Sequence, residues 1–186
     1  GDVWVANYNA PGQVVIAGSP LAVDEAIEKA KELGAKRAMG LPVGGAFHTP
    51  FMAPARDRLR KALREVEVRA PAVPVVANVD AGARDDAEEW PQLLASQLCS
   101  PVQWRQSLYA LSELGCATFV ELGPGAVLTG MAKRTLKDVT TLSVATPEDV
   151  DTLLAAVADL GSSEVFPKGV GEHLYVTERL VVSPCA

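Results

Sequence analysis

The chain has 186 residues, with 17 Lys+Arg against 23 Asp+Glu and a formal net charge of −6 at pH 7. At 48% hydrophobic and 22% charged it has the make-up of an ordinary globular domain, which excludes a disordered or collagen-like chain. The acidic balance argues against a general binder of nucleic acid or anionic membrane, and no apolar run reaches the roughly 18 residues of a spanning helix. Three scattered cysteines, Cys99, Cys116 and Cys185, make no disulfide framework, and no CxxC pair suggests zinc. A reducing, cytoplasmic setting fits. The chain opens inside a strand-like run with no basic leader segment and closes just after the strand-like Leu180-Val181-Val182. It is therefore expected to be a piece of a longer protein.

Taken in order, residues 3–8 and 13–17 are β-rich runs around Pro11-Gly12, a hairpin signal. A helix is predicted from Ser19 or Pro20 to Leu33, with Leu21, Ile27, Ala30 and Leu33 facing inward and Gly34 as its stop. Residues 36–43 read as a strand. From 50 to 66 the apolar positions Met52, Ala55, Leu59, Leu63 and Val66 recur every three or four residues, the pattern of an amphipathic helix whose other face carries Arg56, Arg60 and Arg64. A short strand at 73–79 precedes a turn at 80–84, and helices follow at 87–98 and 101–114. A strand at 116–121, the tight turn Gly123-Pro124-Gly125 and a helix at 126–135 come next. A strand at 140–144 and a helix at 147–160 complete the pattern, with Pro147 in the first helical turn. Such alternation predicts an α/β fold with a largely parallel sheet. Residues 161–186 read as linker and tail, possessing no periodicity.

Two histidines exist. His173 lies in the linker-like tail without a partner signal. His48 lies in Val43-Gly44-Gly45-Ala46-Phe47-His48-Thr49-Pro50, where a strand gives way to a helix, the end at which α/β folds place their chemistry. A neutral imidazole there can take a proton from a nucleophile. It can equally be a structural residue at a helix start, and the residues alone leave both readings open. No GxSxG elbow occurs in the chain. Ser19, in Gly18-Ser19-Pro20, is the nearest approach and reads better as a helix N-cap. Cys99 and Cys116 read as inert thiols.

Four blocks carry a resemblance. They are Asn7-Tyr8-Asn9-Ala10-Pro11-Gly12-Gln13, Gly45-Ala46-Phe47-His48-Thr49-Pro50, Gln97-Leu98-Cys99-Ser100-Pro101-Val102-Gln103-Trp104 and Glu121-Leu122-Gly123-Pro124-Gly125. In this order and spacing, over about residues 3–160, the chain resembles the C-terminal half of the malonyl-CoA:acyl carrier protein transacylases of the acyltransferase family. The resemblance implies residues 1–43 as the latter part of a small ferredoxin-like lobe and residues 44–160 as part of a hydrolase-like parallel-sheet core; it does not cover residues 161–186, which stay a linker and tail or the start of a truncated further domain. It implies a ping-pong reaction of fatty acid biosynthesis. Malonyl passes from malonyl-CoA to a serine, then to the phosphopantetheine thiol of acyl carrier protein, with no resident cofactor.

By position, His48 is the implied base and the backbone carbonyl of Gln97 holds its ring. Asn7 and Asn9 fall near the acyl-CoA entrance, or serve simply as turn formers. Phe47 is implied as a selector for malonyl over methylmalonyl, since its ring would fill the space of an α-methyl group; it is also a plain core residue. The serine, the oxyanion donors and the carboxylate-binding arginine of the family have no matching positions here, so the chain alone is expected to be inactive. Two alternatives remain: the acyltransferase domain of a polyketide synthase, and a non-catalytic module that docks a carrier protein. The row Arg56/Arg60/Arg64 reads either as a solvated face or as a surface for an acidic carrier protein.

Overall fold

A computed structural model describes residues 1–160; the linker and tail readings, with His173 and Cys185, fall outside the described residues. The chain folds first into an antiparallel hairpin of β1 (Val3–Ala10) and β2 (Gln13–Gly18), turned at Pro11-Gly12. Helix α1 (Pro20–Glu32) follows, with Pro20 in its first turn and Lys29 and Lys31 in its last, where they complement the helix dipole. Gly34 adopts φ 89° just past the end, and the N–H of Ala35 reaches back 2.9 Å to the carbonyl of Ala30. This left-handed close is what halts the helix.

The next stretch departs from expectation. Residues 36–43 form no strand. Their extended propensity needs a ladder partner to become a sheet, and no described strand lies beside them. Met39, Leu41 and Val43 are consequently exposed. The helix read at 50–66 is a single 3₁₀ turn (Pro50–Met52) followed by α2 (Ala53–Leu63), and Val66 lies beyond it, exposed. On α1, Ala22 is the buried residue, whereas Leu21 and Leu33 are exposed rather than inward. The strand read at 73–79 shrinks to β3 (Val75–Val76), and the turn read at 80–84 contains its antiparallel partner β4 (Ala83–Arg84).

Helices α3 (Trp90–Gln97) and α4 (Trp104–Glu113) each begin on a half-buried tryptophan. Strand β5 (Thr118–Leu122), helix α5 (Val127–Thr135) and strand β6 (Thr140–Val144) form a β-α-β unit, the two strands pairing in parallel from Thr118 opposite Thr140 to Leu122 opposite Val144. A parallel pair needs such a crossover. Beneath the Gly123-Pro124-Gly125 turn, the buried carboxylate of Glu121 accepts the N–H of Thr129 at 2.9 Å, in the first turn of α5. Helix α6 (Glu148–Leu160) follows β6.

The fold is mixed α/β, with parallel pairing among the described residues confined to β5–β6 and a bridge between Asn7 and Val102. That bridge joins the hairpin to the rest of the chain. The N–H of Tyr8 donates to the Val102 carbonyl at 2.9 Å, and the N–H of Val102 to the Ala6 carbonyl at 2.8 Å. Helices α4 and α5 pack on β1, and the core collects there: Ala6, Ala10, Val102, Leu108, Leu111, Met131 and Ala132 are all buried. Burial of such side chains stabilises the fold by about 25 cal/mol per Å² of apolar surface removed from water. The segment between α3 and α4 is thus held against β1, and it is this segment that faces His48.

Candidate active site

His48 sits in the loop before the 3₁₀ turn, with a backbone φ of 64°. A non-glycine residue in the left-handed region costs about 1 kcal/mol or more, so other contacts must enforce it. Two do. The N–H of His48 donates to the Leu98 carbonyl at 3.1 Å. The next residue, Thr49, is fully buried, donates through Oγ1 to the Ala46 carbonyl at 2.6 Å, and accepts the N–H of Phe51 at 3.3 Å. Thr49 therefore closes the loop behind the histidine and caps the turn ahead of it. The exposed Phe51 meets the ring of Trp4 edge to face, with centroids 5.2 Å apart, which anchors the turn to β1.

The half-buried ring of His48 lies at the C-terminal end of α3. Its Nδ1 is 3.0 Å from the backbone carbonyl oxygen of Gln97. A carbonyl only accepts, so this contact places the proton on Nδ1 and leaves Nε2 as the ring nitrogen free to take one. The same carbonyl accepts the N–H of Ser100 at 3.3 Å. The Gln97 side chain donates from Nε2 to the Ser100 carbonyl at 2.9 Å, bracing the turn that presents the backbone oxygen. Its Nε2 also approaches Nδ1 of His48 to 3.3 Å. With the ring proton on Nδ1, that approach sets donor against donor, so the bond to Ser100 is the one it makes.

The remaining site candidates lie as follows. Phe47 is half-buried and its ring folds back over Gly45. A Cβ on Gly45 would stand 3.0 Å from Cε2 of that ring, so the missing side chain makes room for the aromatic. Asn7 is paired with Val15 and bridged to Val102, while Asn9 falls in the irregular step of β1 between Tyr8 and Ala10. Among the described residues neither asparagine side chain is hydrogen-bonded to the His48 ring. The structure thus brings His48 and Gln97 together and leaves the asparagines on the neighbouring strand. Thr49 and the Leu98 carbonyl went unmarked in the sequence; a Thr directly before Pro at a helix start was the available signal. Ser19 occupies the N-cap position of α1 but makes no side-chain cap bond.

Burial pushes the Cys116 thiol up, away from thiolate character. Cys99 and Cys116 are both unbridged. Among the described residues no three His, Cys, Asp or Glu side chains gather as a metal ligand set, and no helix is long and apolar enough to cross a membrane.

The sequence and its mixed α/β frame are matched in known proteins. The model of the acyl transferase domain matches residues 1–158. The chain belongs to the acyltransferase family. It is 40% identical over 149 residues to the malonyl CoA-acyl carrier protein transacylase of Bacillus subtilis (strain 168), an alignment that takes in 80% of this chain and 47% of that protein. Among solved structures, the acyl-carrier-protein S-malonyltransferase of Bartonella henselae superposes with a TM-score of 0.80 at 40% identity, covering 84% of this chain and 50% of that one. A malonyl-transacylase in complex with a type II polyketide synthase acyl-carrier protein superposes with a TM-score of 0.80 at 39% identity, covering 83% and 50%. This acyltransferase chain spans about half the length of the relatives it matches.

Proposed function

We propose that this acyltransferase chain supplies the general base and part of the pocket wall for malonyl transfer from malonyl-CoA to acyl carrier protein, a step of fatty acid synthesis carried out in the cytoplasm. The observation that carries the reading is the 3.0 Å contact between Nδ1 of His48 and the Gln97 carbonyl. With Nδ1 committed, Nε2 takes the proton of the attacking hydroxyl. The imidazolium that results faces the carbonyl-rich end of α3, which favours positive charge. A carbonyl in place of a carboxylate fixes the tautomer without adding a charge. The nucleophile is a serine from the part of the fold that this chain does not span.

Transfer then runs in two halves. The serine oxygen attacks the thioester carbon, its proton passes to Nε2 of His48, and coenzyme A leaves as the thiol, taking up that proton. The phosphopantetheine thiol next gives its proton to Nε2 and attacks the acyl-serine, and the serine oxygen leaves reprotonated. Malonyl and thiol groups supply all the chemistry, and no resident cofactor enters. Phe47 closes the space beside the acyl α-carbon, and Asn7 and Asn9 line the approach of the acyl-CoA. Similarity to the transacylase solved with a polyketide carrier supports a polyketide acceptor as a second reading of the same chemistry.

The test joins this chain to the portion of the Bacillus subtilis relative that it does not match, giving one chimeric enzyme. Malonyl transfer to acyl carrier protein is expected from the chimera and lost from its His48→Ala form. A chimera that folds, forms the malonyl-serine adduct and keeps its rate without His48 would end the proposal.

A further inference from the structure

The segment that presents the Gln97 carbonyl to His48 runs on to Trp104, the first residue of α4. Main-chain bonds hold it on the way. Val102 is bonded to β1, and the N–H of Gln103 donates to the Asn78 carbonyl at 2.7 Å. Trp104 then lines a cavity of about 20 Å³ between α4, β5 and α5. Most of the wall is apolar, supplied by Leu108, Phe119, Leu128 and Ala132. Two groups are not. The Nε1–H of Trp104 is shut off from solvent and has no acceptor among the described residues. A buried indole N–H ordinarily has one, because burial without a partner forfeits the bond it made to water. The second group is Glu121, 5% exposed, whose carboxylate accepts the N–H of Thr129 at 2.9 Å in the first turn of α5. The Thr129 hydroxyl, also at this cavity, is engaged with Oγ of Ser143 at 2.9 Å.

We propose that this cavity is a binding site for a single water molecule, which accepts from the Nε1–H of Trp104 and donates to the carboxylate of Glu121. The chemistry of the two groups selects the occupant. An indole only donates and an ionised carboxylate only accepts, whereas water does both. A cation would meet the positive edge of the N–H, an anion would meet the carboxylate, and an apolar ligand would leave both groups unpaired. Size selects it as well, since a water needs about 10–15 Å³ of such space and a larger ligand needs more. The bond from Thr129 does not exhaust the carboxylate, which offers about four acceptor positions. No direct bond joins Trp104 Nε1 to Glu121, and a polar pair held just beyond direct reach is the ordinary setting of a bridging water.

The bridge ties the start of α4 to β5 and to the first turn of α5. It thus adds a fixed point to the segment between Gln97 and Trp104, whose other bonds reach β1, Asn78 and the His48 loop. The site depends on neither the proposed activity nor the portion of the fold that this chain does not span.

The experiment records water-selective NOE and ROE spectra of the full chain labelled with nitrogen-15. The chain has three tryptophans, and Trp104→Phe, which keeps an aromatic ring and removes the N–H, identifies the indole signal of Trp104 by its loss. In the unsubstituted chain that indole proton is expected to show a cross-peak to water with the sign of a long-lived bound molecule, and not the sign of chemical exchange. Xenon under pressure is expected to leave the methyl signals of Leu108 and Leu128 unmoved, because a wet polar site excludes it. Glu121→Gln retains an acceptor and should keep the cross-peak. Absence of the cross-peak from a resolved indole signal would overturn the proposal. So would xenon shifts at Leu108 and Leu128 in the unsubstituted chain, which would mark a dry cavity. Both deciding measurements use the chain without substitution, so they stand even if a variant fails to fold.

Discussion

The backbone carbonyl of Gln97 meets the Nδ1 of His48 at 3.0 Å across 49 residues of sequence, and the contact is braced from both sides. On the histidine side, a left-handed backbone is held by the Leu98 carbonyl and by the buried Thr49. On the glutamine side, the carboxamide ties down Ser100. The His48 ring is therefore oriented chiefly by main-chain atoms, which side-chain substitution does not remove.

That division of labour sets the outcome of substitution at each end. In the chimeric enzyme, His48→Ala should slow serine acylation by about 10²–10⁴-fold, the usual range for a lost general base. Gln97→Ala keeps the carbonyl and loses the bond to Ser100, worth about 0.5–1.5 kcal/mol, so a drop of roughly two- to tenfold is expected. Single-turnover acylation measures both. An equal loss in the two variants would mean that the glutamine side chain, rather than its backbone, orients the ring.

Thr49→Val tests the loop itself in the chain as it stands. The substitution keeps the shape and removes a hydroxyl that both donates to Ala46 and accepts from Phe51 in a fully buried position. The part-buried bonds to the Ala46 carbonyl and the Phe51 N–H are then lost, and a loss of about 1–3 kcal/mol is expected in urea denaturation. No change in the midpoint would show that the loop finds another way to close.

How much of this was legible beforehand depends on the range of the interactions. The hairpin at Pro11-Gly12, the halt of α1 at Gly34 and the β5–α5–β6 unit around Gly123-Pro124-Gly125 are set by local turn chemistry, and they stand where the sequence placed them. The strand at 36–43 failed because a strand is made by its neighbour, and no window of sequence contains that neighbour. Leu21 and Leu33 failed in a related way, since helical spacing marks an apolar face without saying what covers it. At the site, no periodicity links His48 to Gln97; only the resemblance set them side by side. The left-handed φ of His48 and the role of Thr49 are consequences of packing, and no residue pattern announced them.

A pH dependence is expected at the start of α6. The Asp149 carboxylate accepts the N–H groups of Ala145 and Thr146, each at 2.9 Å, and these bonds hold its pKa below the ordinary carboxylate range. The folded value lies below the unfolded one, so the native state binds fewer protons between them and stability rises with pH there. The contribution is whole above the ordinary range and disappears as pH falls through the depressed value. Asp149→Asn should therefore destabilise the chain at neutral pH and make little difference at about pH 2. A gap between the two urea curves that is the same at both pH values would refute the assignment.

The proposed role of Phe47 in substrate choice depends on its ring and on the glycine beneath it. The ring rests over Gly45, close enough that a Cβ there would stand 3.0 Å from its edge, so the position of the aromatic is set by what Gly45 lacks. If the ring occupies the space of an α-methyl group, Phe47→Ser opens that space. It should raise kcat/KM for methylmalonyl-CoA relative to malonyl-CoA by about tenfold or more, since a methylene-sized fit is worth about 1–3 kcal/mol. Gly45→Ala should also alter the ratio, because the ring must shift by a few tenths of an ångström to admit the methyl, while the chemistry of His48 is untouched. The pair of variants separates the ring's presence from its placement. Competition between the two acyl-CoAs in the chimera supplies the measurement. Should Phe47→Ser lower both rates in proportion, the ring would be a packing residue and selection would lie elsewhere in the pocket.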